Sequence, residues 1–190
     1  MLDVVQQQNR YLYHATALRF TIMIAIAPAS PALLPNSLTT VDEFEAWQRL
    51  YVKERSHEFV RGRVIPKPAM KQDEFFIASF LIRLFIQTEA FKRGDDLLAE
   101  ADSYVDGARK RVPDLAYFTA EQKQAIRNGE RVSTLFAIGL LSDSESFEDV
   151  TDKVQDYFDA GAQLVWYIAP GNGGFVLTRR PRNQSFTATT

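Results

Sequence analysis

The chain has 190 residues, of which 46% are hydrophobic and 24% charged, with a formal net charge of −2 and no cysteine. That length supports one domain with a sizeable core, and the composition is ordinary for a soluble globular protein. The charge excludes a molecule-wide electrostatic footprint for nucleic acid, and the missing cysteine excludes disulfides, thiolate zinc sites and cysteine nucleophiles. The two histidines, His14 and His57, cannot build a multi-histidine metal site. A hard cation on carboxylate oxygens remains open, magnesium first among them. No apolar run approaches the length of a membrane span.

Residues 1–36 stand apart. The stretch LRFTIMIAIA follows Arg10 and ends before Pro28. Its apolar core is short and the segment before it long for a secretory signal, so a cytoplasmic location is expected. Met23 offers an alternative start, and PASPALLPNS reads as a proline-rich leader of little structure. The fold is expected over residues 37–190, as a single domain.

Thr40 can cap a helix over about 41–52, with Glu43 closing a capping box. His57–Val60 and Arg63–Pro66 read as two short strands joined by a tight turn at Arg61-Gly62. Residues 72–93 give the strongest helical pattern. Phe76, Phe80, Leu84 and Phe91 share one face, and Ile77, Leu81 and Phe85 widen it. A strand over about 97–105 follows, then a turn at Asp106-Gly107, then a strand over Val112–Phe118. A short polar helix over about 121–128 precedes a strand over about 134–141. Ser146 caps a helix over 147–160 whose stripe is Val150, Val154, Tyr157 and Phe158, and Gly161 ends it. Gln163–Ala169 is a β-prone strand, and Phe175–Thr178 a last short one. The alternation predicts a mixed sheet flanked by helices, with 134–141 and 163–169 parallel across the helix between them.

Four positions stand out chemically. Asp114 follows Val112-Pro113, and proline favours a strand start, so its carboxylate can project from a sheet end; a polar strand end with no special task is the alternative. Lys153 lies at the border of its helix's apolar stripe, beside Tyr157. It either snorkels to water or turns its ammonium toward Asp114. Glu58 sits in a fairly apolar strand, HEFV, with an exposed edge as the alternative. Gly139 interrupts LFAIGLL, where glycine packs nothing; an edge, a bulge or a lost functional side chain would each explain it. Two short basic runs, Arg109-Lys110-Arg111 and Arg179-Arg180 with Arg182, are candidates for DNA contact or simply solvated turns.

Taken together, HEFVRGRVI, RVPDLAYF and LSDSESFEDVTDKVQDYFDAGAQLVWYIAP, in that order, resemble the Uma-two family of restriction endonucleases, within the PD-(D/E)XK nuclease superfamily. The resemblance covers about residues 38–178 and is strongest over 142–170. It implies a restriction-endonuclease-like α/β core and metal-dependent hydrolysis of DNA phosphodiesters. By position it makes Asp114 the metal-binding aspartate, Glu58 the glutamate of the early hairpin, and Lys153 the catalytic lysine carried on the following helix. It also implies a glutamate where this chain has Gly139, so that Mg2+ or Mn2+ would bind weakly at Asp114 and catalysis would be impaired. A glutamate restored at 139 is then expected to raise activity. Asp143, Glu145 and Glu100 are candidate stand-ins. A homodimer is the expectation from related nucleases, and a non-catalytic module binding nucleic acid or protein is the alternative function. Family members usually continue through further strands after the last one seen here, so a C-terminal truncation is also expected.

Overall fold

A computed structural model of the chain describes residues 35, 37–51, 56–142 and 145–170, together with the backbone of 174–179. Most of the expected leader, Asp143, and the basic residues Arg180 and Arg182 lie outside the described residues. Helix α1 (Val41–Tyr51) starts on the expected capping box: Thr40 Oγ1 accepts from the Glu43 N–H, and Glu43 Oε2 accepts from the Thr40 N–H, both at 3.2 Å. Its Val41 and Phe44 pack with Phe59 and Val64 of the hairpin formed by β1 (His57–Val60) and β2 (Arg63–Pro66). Arg61 and Gly62 both have positive φ, 47° and 86°. Two left-handed residues in a two-residue loop match the twist of the strands they join.

The long helix expected over 72–93 is two helices, α2 (Gln72–Phe85) and α3 (Glu89–Lys92). Thr88 makes the break: its hydroxyl donates to the Phe85 carbonyl and accepts from the Phe91 N–H, so the side chain replaces the helical ladder. The inward face is Ile77, Ala78, Leu81, Ile82 and Phe85, whereas Phe76, Phe80, Leu84 and Phe91 are exposed. The stripe that looks most regular in the sequence is therefore the outer one.

The next segment also departs from expectation. The strand over 97–105 is two strands, β3 (Asp96–Ala99) and β4 (Ser103–Asp106), and they belong to different sheets. Glu100, at φ 50°, marks the change of direction. The return is similar. Strand β5 (Arg109–Arg111) lies in the first sheet, β6 (Leu115–Phe118) in the second, and Val112-Pro113-Asp114 crosses between them. Pro113 has no N–H to give a ladder, so pairing ends where the crossing starts. Asp114 thus sits in a passage between sheets and not in a strand.

Helix α4 (Ala120–Arg127) leads to β7 (Phe136–Leu140), helix α5 (Phe147–Asp159), β8 (Leu164–Ala169) and β9 (Gly174–Arg179). The first sheet, in the order β2-β1-β5-β4, is antiparallel throughout. The second, β3-β6-β7-β8-β9, is mixed: β7 and β8 pair parallel across α5, as the sequence predicts, and its other neighbours are antiparallel. One face of the mixed sheet packs α2 against Leu97, Leu115, Ile138 and Leu140. The opposite face packs α5, through Tyr157 and Val154, against Ala137, Val165 and Tyr167. The expected α/β class, a mixed sheet flanked by helices, is what forms, with a second antiparallel sheet beside it. No helix among the described residues is long and apolar enough to cross a membrane.

Candidate active site

The crossing at Val112–Asp114 fixes the centre of the site. Leu115 pairs with Ile138 and Ala116 with Ala137, so one further step sets Asp114 opposite Gly139. Side chains alternate along strands. Ala116 and Ala137 share a face, and on β7 Gly139 continues that face two residues on. Asp114, just before the strand, lies near that side: its charge acts on the phenols of Tyr157 and Tyr167, which pack between α5 and the sheet.

Both carboxylate oxygens of Asp114 have donors. Oδ2 accepts from the Leu140 N–H at 2.6 Å, and Oδ1 receives the ammonium of Lys67 at 2.7 Å. The side chains of Lys67 and Asp114 are 12% and 13% exposed, so the pair is shielded but reachable from water.

Gly139 is not in the left-handed region, so its backbone does not demand glycine. Space does. A Cβ there would lie 2.4 Å from Cε1 of Tyr167, its partner on the parallel strand β8. The buried tyrosine ring fills the volume a side chain at 139 would enter. Burial, then the negative charges of Glu145, Glu58 and Asp114, raise the Tyr167 phenol well above its ordinary pKa, so it stays protonated. All three carboxylates act on this one ring.

Glu58 is buried, contrary to the exposed-edge alternative. Its Oε1 accepts from the Val112 N–H at 3.1 Å and its Oε2 from Arg111 Nη1 at 2.9 Å. It holds the start of the crossing that carries Asp114. Arg111 in turn reaches Asp156 of α5, through Nε at 2.7 Å and Nη2 at 2.6 Å. Arg109 joins Asp156 and Asp159, and buried Lys110 pairs with Asp102. The run Arg109-Lys110-Arg111 is therefore neither a solvated turn nor a basic patch open to DNA: its charges are spent on internal pairs binding β5 to α5 and to its neighbours.

Lys153 turns inward. Its ammonium lies 2.5 Å from Glu145 Oε1 and 4.0 Å from Glu58 Oε2, not on Asp114 itself. Burial opposes the charged form, but the Glu58 charge and the Glu145 hydrogen bond and charge outweigh it, so the lysine's pKa is held above its ordinary value. Of the two stand-ins among the described residues, Glu145 reaches this cluster. Glu100 meets Asp114 only by backbone, its N–H donating to the Asp114 carbonyl at 3.1 Å.

Sequence reasoning missed Lys67, Tyr167 and Asp156, and read Arg111 only as part of a basic run. The Pro66-Lys67-Pro68 bracket signals an extended segment, but not that its side chain crosses to a residue 47 positions away. Tyr167 becomes legible only once the β7–β8 register is known.

Among the described residues, no three acidic or histidine side chains are grouped to hold a metal ion. Asp114 alone suits a minimal site, since magnesium keeps several waters and often binds through one or two carboxylates. It does so only if Lys67 releases Oδ1.

A family model described as Uma2, putative restriction endonuclease, matches residues 41–189. No curated protein matches the chain. Among solved structures it is similar to a putative nuclease belonging to DUF820 from Anabaena variabilis ATCC 29413, at 24% identity and a TM-score of 0.61, over 74% of this chain and 79% of that one. That likeness bears on the fold, while the family model spans most of the sequence. The chain belongs to the Uma2 family of putative restriction endonucleases.

Proposed function

We propose that this protein is a weak, metal-dependent endonuclease that nicks DNA with Mg2+ or Mn2+ held at Asp114. The observation that supports this reading is the Leu140 N–H to Asp114 Oδ2 hydrogen bond, which brings the acid beside Gly139, with Glu58 and Glu145, the partners of Lys153, acting with it on the Tyr167 ring. A bound divalent cation supplies Lewis acidity, polarising a phosphoryl oxygen and lowering the pKa of a water. Asp114 is the residue that would hold it. The compact ammonium of Lys153, released from Glu145, would stabilise charge that builds on the phosphate oxygens. Glu58 acts by position, fixing the crossing through Val112 and Arg111. The missing acid at 139 makes cleavage slow, because each 1.36 kcal/mol of lost transition-state stabilisation is about tenfold in rate. One such site cuts one strand, so cleavage of both would take a second copy.

The second reading, a catalytically silent module that binds nucleic acid or protein, is favoured by the same Tyr167 ring, which closes the ligand position. Nicking of supercoiled plasmid separates the two. The natural chain is expected to nick slowly with Mn2+, not with chelator, and Asp114→Asn to lose at least about tenfold of that rate. A natural chain that retards plasmid in a gel without nicking it supports the binding module. Nicking unchanged by Asp114→Asn defeats the assignment of Asp114.

A further inference from the structure

The Lys67–Asp114 pair is the feature that the family reading does not absorb. Lys67 follows β2, in the antiparallel sheet, while Asp114 sits where the chain enters the mixed sheet. Its backbone is fixed between two prolines, and its N–H donates to the Ser56 carbonyl at 2.9 Å. From that anchor its ammonium reaches Asp114 Oδ1 at 2.7 Å, with the side chain only 12% exposed. A long lysine held this far inside by one carboxylate is a built contact, not a surface lysine sampling its neighbours.

We infer that Lys67 is a tethered competitor for the cation site: it occupies Asp114 when no divalent ion is bound, and a metal must displace it. The inference rests on the reading of Asp114 as the metal residue. The chemistry is direct. Magnesium or manganese takes a carboxylate oxygen at about 2.1 Å, closer than the ammonium stands now, and the two cations repel across one small carboxylate. The Leu140 N–H holds the other oxygen, so Asp114 cannot swing away to serve both. Apparent metal affinity is then the intrinsic affinity reduced by the fraction of molecules in which Lys67 has let go. The missing acid at 139 and the resident lysine shift the site's charge in the same direction, toward one closed by protein cations alone.

Mn2+ binding, followed by loss of the free-ion electron paramagnetic resonance signal, tests this without any turnover. Lys67→Met removes the charge and keeps the length; it is expected to tighten Mn2+ about tenfold, the scale of a single charge within a few ångströms. Lys67→Gln, which retains a hydrogen-bond donor for Asp114, should show the same gain if Lys67→Met fails to fold. Lys67→Arg keeps the cation and should bind as weakly as the natural chain. Adding Asp114→Asn to Lys67→Met should abolish the gain. If the neutral variants bind Mn2+ no more tightly than the natural chain, yet Asp114→Asn still weakens binding, the competitor role is overturned and the metal residue stands. If Asp114→Asn changes binding in neither background, both fall together.

Discussion

Gly139→Glu alone is expected to leave plasmid nicking no higher than in the natural chain, whereas Gly139→Glu with Tyr167→Ala is expected to raise it at least about tenfold. The single substitution drives a Cβ to within 2.4 Å of the Tyr167 ring. That ring is buried among Ala137, Tyr157 and Val165, so it has little room to step aside. Overpacking of this kind costs about 1–3 kcal/mol. The new carboxylate would also sit near Asp114, Glu58 and Glu145 before any cation offsets it. Shortening Tyr167 opens the volume, and the introduced side chain refills part of the cavity. The second carboxylate can then face Asp114 across neighbouring strands. Nicking rates with Mn2+, read beside thermal melts of both variants, check this. A single variant as active as the double one contradicts it, and so does a double variant that melts as a folded protein yet cuts no faster.

Arg111→Met is expected to destabilise the fold by about 3 kcal/mol, the low end for breaking a buried pair, because Glu58 and Asp156 both lose a buried guanidinium while Glu58 keeps the Val112 N–H and Asp156 keeps Arg109. The side chains of Arg111, Glu58 and Asp156 are each only 4–5% exposed, so water cannot compensate for the lost partner. For a chain of this size, that loss lowers the melting midpoint on the order of 10 °C. Neutralising the two acids, by Glu58→Gln and Asp156→Asn together with Arg111→Met, should recover most of it, since a buried charged network can be replaced by neutral groups at little cost. Gln at 58 also keeps an oxygen for the Val112 N–H. Urea unfolding of the single and triple variants measures both effects. A single variant within about 1 kcal/mol of the natural chain would show the network to be dispensable, the range typical of exposed ion pairs.

The sequence is informative where structure is set locally. Thr40 and Ser146 begin helices as capping residues do, Arg61-Gly62 makes its turn, and the β7–α5–β8 unit is parallel. It misleads where partners are distant. Nothing near residues 97–118 in the chain says that the apparent strand over 97–105 splits between two sheets, or that Arg109–Arg111 pairs as a strand of its own before the crossing, because the deciding hydrogen bonds run to β1, β6 and β7. The outward Phe76–Phe80–Leu84 stripe is likewise decided by what α2 packs against, not by its own periodicity.

The site divides the same way. Asp114, Glu58, Lys153 and the oddity of Gly139 are visible in the letters, since each is an unusual residue in its local pattern. Their companions are not. Lys67 looks like any loop lysine, and Tyr167 like any strand aromatic, until the register places the first on Asp114 and the second over Gly139. Tyr167 closes position 139 to a side chain, and Lys67 holds one oxygen of the acid.

An anomalous difference map from crystals of the Gly139→Glu, Tyr167→Ala chain soaked in Mn2+ would locate the cation outright. A peak within coordination distance of Asp114 and of the carboxylate introduced at 139, with Lys67 drawn off Oδ1, is the expected result. A peak on Glu58 or Glu145 instead, with the Lys67–Asp114 pair intact, would contradict it.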